Sequence, residues 1–370
     1  MEKYYSIEKL IEQVPDAKYY VVFGERSNGK TYSTLLHGLK QFFKDGSEMA
    51  YIRRYKEDLK GKNGASVFST LVQNKTIEKL SKGKWNGVYY YSQRWWFIWV
   101  NPENPKDRKM DENPFCYGFA LTDMEHDKST SYPNIRNVIF DEFITRQVYL
   151  PNEFVIFSNV LSTIIRDRND VKIYMLGNSV NKYCPYFKEM GLTNISKMDK
   201  WKVDVYTYGI SDLKVAVEYS GNPRNKKDSD TYFSFNNPKL RLITSGEWEL
   251  AIYPHLSEEM KYAPKDVIYH YFIQFEDSLL MCEIVRKDDM CFTFIAPKTT
   301  PIKDDDKNIV YSPIQSPKPN YRRRITKPMT PVDEKICWFF RNEKVFYATN
   351  ETGEVVRNYL NWCKAATMED

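Results

Sequence analysis

The chain has 370 residues, of which 42% are hydrophobic and 15% aromatic, and a formal net charge of +5. That composition can fill two or three packed cores and excludes a disordered chain, while the mild positive charge permits contact with nucleic acid without requiring it. No apolar run approaches the roughly 20 residues of a membrane helix, so the expectation is a soluble protein with no membrane partner, staying in the compartment where it is made.

Residues 19–23 (YYVVF) form a short run of strand formers that feeds directly into Gly24-Glu25-Arg26-Ser27-Asn28-Gly29-Lys30-Thr31. From Thr31 onward Leu35, Leu36, Leu39, Phe42 and Phe43 recur at helical spacing until Asp45-Gly46, and residues 49–52 (MAYI) read as a second strand. Strand, glycine loop, helix and strand in that order open a parallel α/β sheet. Residues 88–100 and 115–121 are dense in strand formers and predict an antiparallel insertion. Val138-Ile139-Phe140 is a buried strand ending in Asp141-Glu142. Pro151 opens a helix to about Arg166, and residues 171–176 form a further strand ending at Gly177-Asn178.

Beyond about residue 186 the pattern changes. Residues 221–230 are polar and read as an exposed loop. Residues 270–296 hold two strand-rich runs around Arg286-Lys287-Asp288-Asp289, a predicted hairpin. The stretch 311–331 carries five prolines around Arg322-Arg323-Arg324 and reads as loop; residues 333–340 and 354–366 look helical. Six cysteines, Cys116, Cys184, Cys282, Cys291, Cys337 and Cys363, form no CxxC pair, so reduced thiols in a cytosol fit best.

The pattern G-x-x-x-x-G-K-[ST] is met by Gly24, Gly29, Lys30 and Thr31. Its glycines let backbone N–H groups turn inward around phosphates, Lys30 reaches the β- and γ-phosphates, and the Thr31 hydroxyl ligates Mg²⁺. ATP and Mg²⁺ are therefore the expected cofactors, with residues 24–32, including Glu25, Arg26, Ser27, Asn28 and Tyr32, around the nucleotide. Asp141 is the second expected metal ligand and Glu142 the general base that polarises the attacking water. Asn178, at the next strand end, is a candidate γ-phosphate sensor or a plain turn asparagine. Arg26 is either a γ-phosphate contact or a solvated loop charge.

These residues together resemble the DNA-packaging ATPases of small, phi-twenty-nine-like (Picovirinae-type) podoviruses, within the terminase and FtsK/HerA group of ring translocases. The matching stretches are FGERSNGKTY (23–32), YIRRYKEDL (51–59), KSTSYPNIRNVIFDEF (128–143), LPNE (150–153), IRDRND (165–170) and LGNSVNKYCPYF (176–187). The resemblance implies a P-loop ATPase domain of the ASCE type over residues 1–195, a small linker domain over 196–250, and a C-terminal docking domain over 251–370. That last domain is implied to be α+β, a vestigial RNase H-like fold. It also implies a homomeric ring, a pentamer, that docks on the portal of a procapsid in the host cytoplasm and drives double-stranded DNA inward, with a structural prohead RNA as a further candidate partner. Arg166 matches the arginine finger that enters a neighbour's site, and Lys128 another residue acting across the interface. Arg53, Arg54 and Lys56 match the basic segment on DNA, followed by Lys60 and Lys62 in an expected flexible loop. Arg322 to Arg324 face an RNA, the portal or solvent. A large terminase with an active C-terminal nuclease, its carboxylates drawn from Glu276, Asp277 and Glu283, is the alternative; a P-loop kinase is disfavoured because it needs no hydrolytic base.

Overall fold

The computed structural model describes residues 4–123, 131–179, 181–209, 213–221, 253–302 and 307–367. The chain divides into two units, Met1–Thr145 with Asn152–Glu249, and Arg146–Pro151 with Leu250–Asp370.

The first unit is an α/β fold on a large mixed sheet. Its strands are β1 (Tyr19–Gly24), β2 (Glu48–Arg53), β3 (Gly87–Tyr91), β4 (Arg94–Val100), β5 (Arg108–Met110), β6 (Cys116–Ala120), β7 (Ile135–Asp141), β8 (Lys172–Asn178), β9 (Val203–Tyr208) and β10 (Leu213–Ser220). Its helices are α1 (Ile7–Gln13), α2 (Lys30–Asp45), α3 (Gly61–Ser66), α4 (Ser69–Gln73), α5 (Thr76–Leu80), α6 (Glu153–Ile165) and α7 (Pro185–Glu189). Along the sheet the order is β3-β4-β6-β2-β7-β8-β1-β10-β9, with β5 on β4. From β6 to β10 every pairing is parallel. Parallel strands are covered on both faces, which is why β1, β2, β7 and β8 are almost wholly buried. One strand, β8, lies between β1, which carries the glycine loop, and β7, which carries Asp141.

The predicted core elements stand with shifted ends: α2 begins at Lys30 and closes at Gly46, whose φ of 79° suits glycine. The aromatic run 88–100 is broken into two antiparallel strands by Ser92 and Gln93, both at positive φ, as a two-residue hairpin turn requires. Residues 60–64, expected as a flexible loop, instead open α3, with Gly64 buried under Trp95, whose indole N–H donates to its carbonyl at 2.9 Å. β9 and β10 extend the first sheet, β10 running parallel to β1 over six residue pairs, so the expected boundary near 195 cuts across one sheet. Most of the polar loop 221–230, and residues 222–250 of the expected linker, lie outside the described residues.

The second unit is built on β11 (Val267–Phe275), β12 (Ser278–Lys287), β13 (Met290–Pro297), β14 (Val310–Tyr311), β15 (Tyr321–Arg322) and β16 (Val345–Tyr347), with α8 (Pro331–Arg341) and α9 (Asn350–Thr367). The order is β15-β14-β11-β12-β13-β16. Strands β11 to β13 form an antiparallel meander, and β14, β15 and β16 add in parallel. The predicted single hairpin is thus three strands, because Glu276 and Asp277 make a first tight turn, Glu276 at φ 51°. Buried Asp333 joins three elements: it accepts from Thr330 at the cap of α8, from the Tyr311 hydroxyl at 3.0 Å and from Arg322 Nε at 3.3 Å. Arg323 lies over the Trp362 ring and Arg324 donates to the Ala366 carbonyl. The three arginines therefore each have work inside their own unit.

Candidate nucleotide site

Five neighbouring parallel strands end in Arg53 (β2), Asp141 (β7), Asn178 (β8), Gly24 (β1) and Ser220 (β10). Crevices at the carboxyl ends of such strands are where open α/β sheets bind ligands. The loop that follows Gly24 is held from below. Gly24 has φ 150°, and a Cβ there would sit 1.9 Å from the Ser220 carbonyl oxygen. Buried Asn28 donates through Nδ2 to Ser220 Oγ at 3.0 Å and to the Gly221 carbonyl at 3.1 Å. The N-terminal segment closes the other side, with Tyr5 N–H donating to the Asn28 carbonyl at 3.0 Å. Gly29, at φ 99°, caps α2 without a side-chain acceptor, so the helix presents backbone donors to an anion.

Lys30 is buried beneath this loop. Its Nζ donates to the Glu25 carbonyl at 2.6 Å, Asn28 Oδ1 at 3.2 Å and Asn178 Oδ1 at 3.4 Å. Burial pushes the Lys30 ammonium down to about 8, against the pull of Asp141 and Glu25. Between about pH 8 and the ordinary lysine range, the unfolded chain keeps a proton that the folded chain has released, so the empty protein gains stability as pH rises through that window. A triphosphate would restore an anionic partner and raise Lys30 again. Triphosphate binding near about pH 9 should therefore take up a proton. Calorimetry in two buffers of different ionisation enthalpy reads this directly; a binding enthalpy that ignores the buffer contradicts it.

On the other flank, the Thr31 hydroxyl donates to the Asp141 carboxylate, with Oγ1 at 3.1 Å from Oδ1 and 3.2 Å from Oδ2. Two neighbouring ligands of an octahedral cation with bonds of about 2.1 Å lie about 3 Å apart, so this oxygen pair suits a small, hard divalent ion. Asp141 also accepts from the Tyr51 hydroxyl at 2.8 Å. Burial, and then Asp141, push that phenol well above its ordinary range, so Tyr51 stays a donor.

Glu142 follows at φ 59° with its side chain 58% exposed, and Arg53 Nη2 donates to its Oε2 at 2.7 Å. Arg53 Nη1 also stands 3.8 Å from Asp141 Oδ2. Burial weakens the Arg53 charge, but Tyr51, Glu142 and Asp141 outweigh it and hold the guanidinium protonated. Arg53 thus belongs beside the carboxylates, although sequence placed it on DNA. Its position as the last residue of a central parallel strand was the available signal. Tyr51 was missed; a tyrosine in an otherwise apolar strand two residues earlier was the hint.

Arg54 departs further from expectation. Its guanidinium is buried and bidentate on Glu153, with Nε to Oε2 at 2.9 Å and Nη2 to Oε1 at 2.9 Å. It also donates to the Phe143 carbonyl at 2.7 Å, and Tyr186 donates to Glu153 at 2.8 Å. Committed to that network, Arg54 cannot reach a phosphate on DNA. Lys56 is paired with Asp123 at 2.6 Å, Lys60 with Glu57 at 2.9 Å, and Lys62 is exposed. Arg26 and Ser27 are exposed at the loop tip, and Tyr32 packs on the core beneath α2. Arg166 is exposed where α6 ends, at φ 51°. Lys128 lies outside the described residues. Among the described residues no group of three or more His, Cys, Asp or Glu side chains could hold a metal ion. Glu276 and Asp277 occupy the β11–β12 turn, whereas Glu283 faces His270 five residues along β12 from Ser278, about 17 Å away in an extended strand.

A family described as podovirus DNA encapsidation protein (Gp16) matches residues 106–229, a segment that holds Asp141, Glu142, Arg166 and Asn178 but not the glycine loop. The DNA packaging protein of Bacillus phage phi29 is 25% identical over 227 residues, covering 60% of each chain. That of Bacillus phage B103 is 29% identical over 218 residues, covering 56% of this chain and 57% of its own. The chain therefore spans about 60% of the length of the curated relatives it matches. Among solved structures, the Phi-28 gp11 DNA packaging motor has a TM-score of 0.51 at 18% identity, covering 98% of this chain and 99% of that one. The Phi-29 viral genome packaging motor assembly has a TM-score of 0.54 at 18% identity, covering 96% and 97%. At that identity the likeness establishes the fold, which is shared along nearly the whole chain. The resemblance to phi29-like packaging proteins, read from motifs in residues 23–187, is thus met by relatives of that name and by structures of that fold.

Proposed function

We propose that the chain is an ATP-driven motor that moves double-stranded DNA into a preformed procapsid, hydrolysing ATP at sites completed by neighbouring subunits of a homomeric ring. The observation that carries the reading is the meeting of Thr31 and Asp141 across the gap left by β8, with Glu142 one residue beyond. The names of the relatives support the choice of DNA as cargo.

In this reading the N-terminus of α2 and Lys30 hold the β- and γ-phosphates. Thr31 and Asp141 hold Mg²⁺, which supplies charge neutralisation on the phosphate oxygens. Glu142 orients and deprotonates the attacking water. For that its carboxylate must leave Arg53, so the 2.7 Å ion pair holds the base in reserve. Asn178, which accepts from Lys30 Nζ at 3.4 Å, responds to the γ-phosphate in this reading. Arg166, exposed at the end of α6, enters a neighbour's site and offsets charge on the transferring group; Lys128 is the second candidate acting across that interface. Lys56, Lys60 and Lys62 track DNA phosphates, contacts that carry no sequence information and so suit a motor that moves any DNA. A pentameric ring, the portal and a prohead RNA complete the proposal. The second unit is read as an RNase H-like docking domain, on the strength of its meander with parallel strands added beside β11. The scattered placing of Glu276, Asp277 and Glu283 disfavours the nuclease alternative, since paired-metal cleavage needs converging carboxylates.

A mixing experiment tests the shared site. Arg166→Ala and Lys30→Ala should each be inactive alone. Mixed, they should regain ATP hydrolysis, because some interfaces then pair an intact loop with an intact finger. Absence of recovery at every mixing ratio counts against an arginine acting in trans.

A further inference from the structure

We propose that the indole of Trp201 is the platform on which the base of the nucleotide stacks; the proposal rests on the nucleotide reading above and adds the subsite for its other end. The direction comes from the sheet. The Thr31–Asp141 pair fixes the γ-phosphate end on the β7 side of the loop. The order β7-β8-β1-β10 then leaves the β10 side for the nucleoside. That side is where Trp201 stands. Its backbone N–H donates to the Tyr219 carbonyl at 2.6 Å, next to the end of β10. A Cβ on Gly221 would meet the indole at 2.7 Å, so the Gly221 backbone lies flat against the ring, which glycine alone allows. The Gly221 carbonyl in turn accepts from Asn28 inside the phosphate loop at 3.1 Å. Lys200, the preceding residue, ties Glu25 of the same loop at 2.9 Å. The residues flanking the indole, Lys200 before it and Gly221 against it, are thus tied to the loop.

Two features make the indole a ligand surface rather than a piece of core. Trp201 is 50% exposed, although tryptophan is the largest of the apolar side chains. Its backbone is held at φ 67°, a left-handed conformation that a bulky residue adopts only when its surroundings impose it. A flat aromatic face takes a base through stacking, with tolerance for base identity, because every base presents a π-face. Tyr4, 44% exposed with its Cβ 3.2 Å from the Cβ position of Gly29, is the competing platform, at the helix end of the loop.

The test titrates the full chain with Mg-ATP and, separately, with Mg-tripolyphosphate, which has the phosphates and no base. Trp201→Ala should weaken ATP about tenfold while leaving tripolyphosphate within about twofold, and Trp201→Phe should restore most of the loss. Unchanged tripolyphosphate binding also reports that the loop is folded. Equal ATP affinity in Trp201→Ala and wild type overturns the proposal, as does equal weakening of both probes. A loss that appears in Tyr4→Ala instead moves the platform and also overturns it. A wild-type chain that binds neither probe contradicts the nucleotide reading itself and takes this one with it.

Discussion

Glu142→Gln should lower ATP turnover by about 10³-fold, within the range that a positioned general base contributes, while ATP binding stays within about twofold of wild type. Gln keeps the length of the side chain and tolerates the left-handed backbone at Glu142 as Glu does. It removes the negative charge and with it the capacity to accept a proton. Binding depends on groups the substitution does not touch, Lys30, Thr31 and Asp141. Stability should change little, because the Arg53–Glu142 pair has an exposed carboxylate and such pairs contribute about 0–1 kcal/mol. Single-turnover hydrolysis with equilibrium nucleotide binding checks both halves. Turnover within tenfold of wild type removes Glu142 from the role of base.

Glu153→Ala should destabilise the first unit by about 3–5 kcal/mol, because it leaves the Arg54 guanidinium buried without its counter-charge. The Glu153 side chain is wholly buried and that of Arg54 is only 6% exposed. Glu153 holds Arg54 bidentately and also takes the Tyr186 hydroxyl. Arg54→Ala strands Glu153 in the same way. The double variant should lose clearly less than the sum of the two, since neither charge is then orphaned. Urea unfolding followed at the first transition gives the cycle. Additive losses, or a single variant costing under about 1 kcal/mol, contradict a buried pair. The result has a functional corollary: DNA-related defects in Arg54 variants report unfolding and not a lost phosphate contact.

The legible parts of this molecule are those written in contiguous residues. Gly24 to Thr31 carry their chemistry in a fixed spacing between a strand and a helix, so the loop, Lys30 and Thr31 stand where the pattern puts them. Asp141 was legible because an apolar strand stops at it. What failed was what depends on distant chain. Arg53 and Arg54 are adjacent and look alike in sequence. One faces Glu142 and the other Glu153, and alternation along an extended segment decides which. Glu153 is 99 residues from Arg54, so nothing local announces the pairing. β9 and β10 read as the start of a new domain because β1, the strand on which β10 pairs, lies almost 200 residues earlier. Trp201 carries no local signal among the many aromatics of the chain; only Gly221, packed on its ring and bonded to Asn28, sets it apart. In the second unit the turn at Asp288-Asp289 stands where the sequence puts it, whereas the one at Glu276-Asp277 does not announce itself, since an acidic pair marks a turn and a solvated strand end equally.

If hydrolysis at this site moves DNA, as proposed, DNA encapsidation reads it directly. Procapsids, DNA and the purified chain are incubated with ATP, and the DNA protected from added nuclease is quantified. Protection by the wild-type chain should require ATP and should be abolished by Glu142→Gln at full nucleotide occupancy. Protection by the Glu142→Gln chain equal to wild type, or protection without ATP, would contradict it.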